Sequence, residues 1–540
     1  MRSHLALAWV AWLALACACD SAPPSLDAGL DAAVQADGGV DAATAPDPRF
    51  DALAAAIESD IARSNATGAS VAVWLDDEIV WVGGFGTVDP DGSRVPDEDT
   101  LFMIGSDTKK IAAMLFLQEV AAGHATVETT LGEVVPELVM PQAPDYPTVT
   151  ARELMSHQGG IVDRLGDPTG ATTDDFLRTY ALGAFATDAY AMAPHGVFFN
   201  YSNPNFAMVG LMTETLAGEP WADLAETRLF APLGMTRTFA RKPDLDENVA
   251  TGVGVTAPGD TAVGPVSLAD TWEDAFVRPA GLVWSTPSDQ VRLARFLVDG
   301  DDAVLPAALV AQLHEPQVRQ LPDLPGEYGY GLFVGRGANL AGTYADVEVW
   351  RHGGNTFTHT STFYILPEQR FAISILSNGL GDDFTASVVT AIRTLVDLPA
   401  PVDPPPPPTV DVAQLDDLTG VYVDPHNVGE LVITRVDDHL QVMAPDLDAA
   451  GVAYDPALTG ISTRVWRTTV NGQPLAISFA DGPDGETYLV NRAFVAVRPS
   501  PTALTLASPP PSRAAILAAL QRARFAPVPR GLLGSGDATL

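Results

Sequence analysis

Ser106-Asp107-Thr108-Lys109-Lys110-Ile111-Ala112-Ala113-Met114-Leu115-Phe116-Leu117 is the stretch from which the rest of the chain can be read. From Ile111 to Ala122 it is apolar nearly all round, the pattern of a helix buried on every side. A hydroxyl and an amine, those of Ser106 and Lys109, stand three residues apart at its start, a spacing that puts both on one face. A helix N-terminus adds free backbone N–H groups and the positive end of the dipole beside the serine, where they favour negative charge developing on an attacked carbonyl. These parts permit a serine nucleophile with lysine as its base. Such a lysine has to be neutral part of the time, which desolvation against the buried helix promotes. The competing reading is a serine that merely caps the helix and a lysine exposed on its first turn. Lys110, one position round, is expected to face solvent.

Composition narrows what that pair can serve. The chain has 540 residues, 47% hydrophobic and 18% charged, an ordinary globular balance with room for two to four domains, which excludes disorder, collagen-like repeat or coiled coil for the whole. Asp and Glu number 68 against 30 Lys and Arg, a net charge of -38. Such a surface repels a phosphate backbone, so no nucleic-acid partner is expected. The cations are 27 Arg and three Lys: Lys109, Lys110 and Lys242. Where lysine persists in so arginine-rich a chain, the job guanidinium cannot do is giving up a proton.

Outward from the motif, the chain divides by composition. Residues 1–19 read as a secretory signal, with Arg2 ahead of the apolar run Leu5 to Ala16, too short to span a bilayer. Ala14-Leu15-Ala16-Cys17 resembles a bacterial lipobox, and Cys19 offers a second position, so membrane attachment through a lipidated Cys17 or Cys19 is expected, with plain cleavage after Ala16 or Ala18 as the alternative. Export across the bacterial inner membrane places the protein in the cell envelope. Residues 20–48, with six Asp and no Lys or Arg, read as a solvated tether. A body over 49–400 ends at the stiff proline-rich linker 401–409, followed by a module over 410–500 and a tail over 501–540 holding a short helix.

In the body, Asp51 to Arg63 has helical spacing, and Ala69 to Leu75 and Ile79 to Gly84 read as a strand hairpin. Asp346 to Arg351, Thr358 to Leu366 and Phe371 to Leu376 read as three more strands, with a helix at Thr385 to Val396 and helices such as Asn205 to Leu216 and Ser288 to Val298 between. Two early and three late strands around a helical insert predict an α/β (α+β) fold: an antiparallel five-stranded sheet flanked by helices, with a helical lobe beside it. In 410–500, runs at Leu418 to Val423, Leu431 to Val436 and Leu475 to Phe479, with an Asn471-Gly472 turn, predict a small C-terminal antiparallel β domain, a barrel or sandwich.

Two further stretches carry chemistry. Tyr201-Ser202-Asn203 precedes the helix from Asn205, where a phenol can relay a proton and an amide can donate to substrate. His352-Gly353-Gly354 closes a strand, and its glycines let a substrate approach the backbone of Asn355. No His-Glu-x-x-His or cysteine cluster signals a metal, no cofactor is implied, and the Gly-x-Ser-x-Gly of an ordinary α/β-hydrolase is absent.

Ser106-x-x-Lys109, Tyr201-x-Asn203 and His352-x-Gly354, in that order, resemble the serine beta-lactamase and penicillin-binding-protein superfamily, class C-like branch, over about residues 50 to 398. Phe102-Met103-Ile104-Gly105-Ser106, Glu153-Leu154-Met155-Ser156-His157, Phe230-Ala231-Pro232-Leu233-Gly234-Met235 and Gly281-Leu282-Val283-Trp284-Ser285-Thr286 are similar too. The resemblance implies Ser106 as acylated nucleophile, Lys109 as its base, Tyr201 as proton relay and Asn203 as substrate-amide donor. It also implies an oxyanion hole from the backbone N–H groups of Ser106 and Asn355. True beta-lactamases usually place Lys-Thr-Gly at the third motif, where a cation meets the drug's carboxylate. His352 is largely neutral near pH 7, so the resemblance favours cleavage of an ester or amide in a small-molecule or peptide substrate, as in esterases and D-amino-acid peptidases or amidases. A true beta-lactamase and a non-turnover penicillin-binding-like receptor are the alternatives. Arg351 could supply the missing charge, but alternation along the strand points it to the opposite face. The C-terminal module is similar to lipocalin-like domains appended to such hydrolases.

Overall fold

The computed structural model describes residues 48–166, 171–256, 262–499 and 512–523. Cys17, Cys19 and all of the tether but Pro48 lie outside the described residues.

The body is built on one antiparallel sheet whose strands are Gly68–Leu75 (β1), Glu78–Gly86 (β2), Val318–Arg319 (β3), Glu327–Tyr328 (β4), Phe333–Asn339 (β5), Tyr344–Asn355 (β6), Thr360–Leu366 (β7) and Phe371–Ser377 (β8), in the order β2-β1-β8-β7-β6-β5-β4-β3. The five expected strands are contiguous in it. The sheet carries three more than the five predicted: β3 and β4 are two residues each, and β5 is broken by Gly335 and Gly337, so none has a readable alternation.

Both faces are covered, which is why β1 is buried along nearly its whole length. Val71 and Val73 point into a cluster with Leu53 and Ile57 of helix Pro48–Ala62 (α1) and Val388 and Ile392 of Thr385–Leu395. Ala72 and Trp74, one step along the pleat, join the larger cluster on the other face. That cluster holds helices Lys109–Ala121 (α2), Asn203–Ala217 (α3) and Pro287–Asp299 (α4), with Thr385–Leu395 (α5) left on the first face. Helix α2 thus lies between sheet and helical lobe, as its all-round apolar sequence requires.

The C-terminal unit is a second eight-stranded antiparallel sheet: Gly420–Asp424 (β9), Gly429–Val436 (β10), His439–Met443 (β11), Thr459–Gly460 (β12), Val465–Val470 (β13), Gln473–Asp481 (β14), Thr487–Asn491 (β15) and Phe494–Arg498 (β16), in the order β11-β10-β9-β16-β15-β14-β13-β12. A bridge between Gln441 and Ala457, with Leu458 N–H donating to Leu440 O at 3.0 Å, joins the ends into a barrel. The Asn471-Gly472 turn links β13 to β14 with φ of 51° and 76°, the left-handed pair that a two-residue hairpin demands. Helix Arg513–Ala523 (α6) packs Ile516, Ala519 and Leu520 into the barrel's core.

Barrel and body touch directly. Tyr190 stacks on His426 with ring centroids 4.0 Å apart and donates its hydroxyl to Asn427 Oδ1 at 2.7 Å. Phe198 meets Tyr488 at 5.4 Å, within a small apolar cluster that includes Ala193, Val490 and Val495.

Candidate active site

Ser106 lies on a single 3-10 turn, Gly105–Thr108, and α2 begins only at Lys109. Gly105 opens that turn with a φ of +56°, in the left-handed region that favours glycine. A Cβ on Gly105 would sit 2.8 Å from the Asn355 nitrogen, and one on Gly354 would sit 2.6 Å from the Ser106 nitrogen. The end of β6 and the serine turn therefore press backbone to backbone, with glycine on each side. His352 and both glycines lie inside β6, which runs on to Asn355. Asn355 accepts at Oδ1 from the Thr360 hydroxyl at 2.8 Å.

The exposed-lysine reading fails: Lys109 is 0% exposed. Its Nζ contacts Ser106 Oγ at 3.0 Å, Asn203 Oδ1 at 2.8 Å and Ala280 O at 2.7 Å. Burial, helped by the cation of Arg492 and opposed by Asp163, holds its pKa well below the ordinary lysine value. A neutral amine has two N–H donors and one lone pair. The carbonyl oxygens of Asn203 and Ala280 can only accept, so the lone pair falls to Ser106, whose O–H then donates to it.

Asn203 holds this arrangement through Asp163. Asp163 Oδ1 accepts from the Asn203 backbone N–H at 2.8 Å and from Nδ2 at 3.1 Å, which fixes the amide with its oxygen towards Lys109. Tyr201 is buried, its hydroxyl pairs with the Ser106 side chain, and burial raises its pKa. Lys109 Nζ lies 4.8 Å from the centre of the Tyr201 ring, and the Arg492 guanidinium 4.4 Å from it. His157 packs on Tyr201 with centroids 4.0 Å apart and accepts at Nδ1 from the Ser202 N–H at 3.2 Å.

Ser106, Lys109, Tyr201 and Asn203 thus meet in one cluster, with the Gly354-Asn355 backbone against the serine turn. His352 lies beside it, 2% exposed, its Nε2 paired with the Tyr328 hydroxyl at 3.0 Å. Burial, with Lys109 nearby, pushes its pKa well below that of free imidazole, so it is neutral. Arg351 pairs with Tyr364, on the α1 and α5 side of the sheet, as alternation requires. Lys110 is a correction: it is also 0% exposed, paired with buried Asp107 and 3.8 Å from the Phe363 ring centre. Both flanks of α2 are covered, so no face was left for solvent, and the carboxylate three residues back was the readable sign. His157 closes a stretch already noted as similar to the family, whereas Asp163, Tyr328 and Arg492 carried no such sign, since each acts through contacts remote in sequence.

The Beta-lactamase family model matches residues 53–396, more than half of the chain. Penicillin-binding protein 4 of Amycolatopsis lactamdurans is 27% identical over 339 residues, covering 61% of this chain and 84% of that protein. Among solved structures, SurE with D-Leu superposes at TM-score 0.61 with 20% identity, covering 84% of this chain and 99% of the other, a likeness that runs past the body into the barrel. A D-stereospecific amidohydrolase from Streptomyces sp. superposes at 0.52 with 24% identity, covering 64% of this chain and 98% of the other. With its serine, lysine and tyrosine gathered on the fold these proteins share, the chain belongs to the Beta-lactamase family.

Proposed function

We infer that the protein is a serine hydrolase that cleaves an ester or amide bond through an acyl-enzyme on Ser106. The observation that carries this reading is the lysine: fully buried, without a carboxylate on its amine, and 3.0 Å from Ser106 Oγ. Neutral Lys109 takes the Ser106 hydroxyl proton as Oγ adds to the carbonyl carbon. The oxyanion is received by the N–H groups of Ser106 and Asn355, and the Tyr201 hydroxyl passes a proton to the departing alcohol or amine and is reprotonated by the Lys109 ammonium, which restores the neutral amine. Water then attacks the ester on Ser106, with the same amine accepting its proton and returning it to Ser106 Oγ as the acid product departs.

Neutral His352 supports a substrate without a carboxylate at the position the third motif faces, which favours ester or amide over beta-lactam. The D-amino-acid chemistry in the names of the structural neighbours supports a D-configured acyl donor. The test compares wild type with Ser106→Ala on a short-chain nitrophenyl ester, a D-alanyl anilide and a chromogenic cephalosporin. Turnover of ester or anilide that vanishes in Ser106→Ala is expected. Dominant cephalosporin turnover would overturn the reading of His352, and a stable acyl-enzyme without turnover would make the protein a receptor.

We further propose that residues 1–19 serve as an export signal and that a lipidated Cys17 or Cys19 tethers this activity in the cell envelope. Palmitate labelling that persists when both cysteines are replaced by serine would refute the anchor.

A further inference from the structure

The hairpin between β15 and β16 carries a guanidinium from the barrel into the serine site. Arg492 Nε and Nη2 both donate to Asp163 Oδ2, at 2.7 and 2.6 Å, and the two side chains are 8% and 5% exposed. The other oxygen of Asp163 holds the backbone and side chain of Asn203, and Asn203 holds Lys109 against Ser106. We propose that Arg492 is a positioning residue of the serine site, acting through Asp163 and Asn203 to fix the amine of Lys109, so that the barrel completes the catalytic centre of the body.

The chemistry of the links supports this. Without the guanidinium, a carboxylate closed off from water would keep hydrogen bonds from the neutral N–H groups of Asn203 and no counterion in contact. Two guanidinium N–H groups on one oxygen compensate it and leave the other oxygen for Asn203. Tyr201, with the Arg492 guanidinium within cation–π range of its ring at 4.4 Å and Lys109 Nζ 4.8 Å from the ring centre, is held in the same assembly. The charged and titratable groups around Lys109 are Arg492 and Asp163, with Ser106, Tyr201 and the buried, neutral imidazoles of His157 and His352. Arg492 disfavours a proton on Lys109 and Asp163 favours one. Removing either therefore moves the lysine in a known direction. The position inference rests on the reading of Lys109 as the base of Ser106, and the test separates the two.

With three lysines in the chain, a protein labelled at lysine 13Cε gives three signals to follow by NMR as pH is varied. Arg492→Met is expected to raise the titration midpoint of Lys109 by about one unit or more, and Asp163→Asn to lower it. Arg492→Lys, which keeps a cation but not the two-pronged grip, is expected to shift it less than Arg492→Met. On the substrate that Ser106 turns over, Arg492→Met is expected to lower kcat roughly tenfold or more with KM little changed, because the loss falls on the proton transfer and not on binding. His426→Ala removes a barrel contact outside the serine cluster and is expected to leave the Lys109 midpoint where it is. An unmoved midpoint in Arg492→Met would overturn the proposal, as would Arg492→Met and Asp163→Asn shifting it the same way or His426→Ala shifting it equally. Labelling of wild type by a fluorophosphonate, absent in Ser106→Ala, tests the hydrolase reading by itself; its failure would leave the lysine titration to decide the role of Arg492.

Discussion

The molecule holds two eight-stranded antiparallel sheets that solve the same problem in opposite ways. The body's sheet stays open, is covered by helices on both faces, and keeps one strand end, Gly353-Gly354-Asn355, for the serine turn. The C-terminal sheet closes on itself and fills its interior with its own Tyr422, Trp466, Phe479 and Leu489, joined by Ile516 and Leu520 of α6. A closed and filled barrel has no interior left for chemistry, so whatever it contributes must come from its outer surface and its hairpins. The open sheet can host a site because a strand end, a turn and a helix start converge on it.

The comparison can be broken at its barrel side most forcefully by emptying the core. Phe479→Ala is expected to destabilise the barrel by about 3–5 kcal/mol, read as an early transition in urea ahead of that of the body. A single unchanged transition would mean that the barrel does not stand on its own packing. On the body side, Lys110→Met strands Asp107 and is expected to lower stability by about 3–5 kcal/mol, measured by thermal melting, while the Lys109 titration stays put. If instead the Lys109 midpoint moved, the two neighbouring lysines would not be independent. Gly354→Ala presses a methyl against the Ser106 nitrogen and is expected to reduce kcat/KM about 100-fold or more, the effect of a lost oxyanion donor. Wild-type activity falls as pH drops through the depressed pKa of Lys109, because protonation removes the lone pair that accepts the serine proton; a rate independent of pH on the acid side would contradict a neutral base. The smallest effect is expected from His426→Ala, about 0.5–1.5 kcal/mol for one stacked ring pair, seen as a slight fall in Tm.

Most of this architecture could be read from residue order. The five expected strands announce themselves by apolar, β-branched runs and α2 by a stretch apolar nearly all round, because burial on both sides writes directly into composition. The 3-10 turn at Ser106 was not readable, since a left-handed Gly105 reveals itself only through the strand pressed against it. Ser106, Lys109, Tyr201 and Asn203 stood out because each lies near a helix start with chemistry to offer. Asp163 was one acid among 68 acidic residues, and Arg492 one of 27 arginines. Their pairing across 329 residues is a property of the folded chain alone.

That separation has a consequence in time. Ribosomes add about 5–20 residues per second, so roughly 20–60 s pass between the making of Asp163 and the making of its arginine. A body that folds before the barrel docks can gather its serine, lysine and asparagine while the carboxylate behind them still waits for its counterion. The last piece of the site to be synthesised arrives on a separate, self-contained unit, and the finished geometry becomes a record that nearly the whole described chain has been made and has docked.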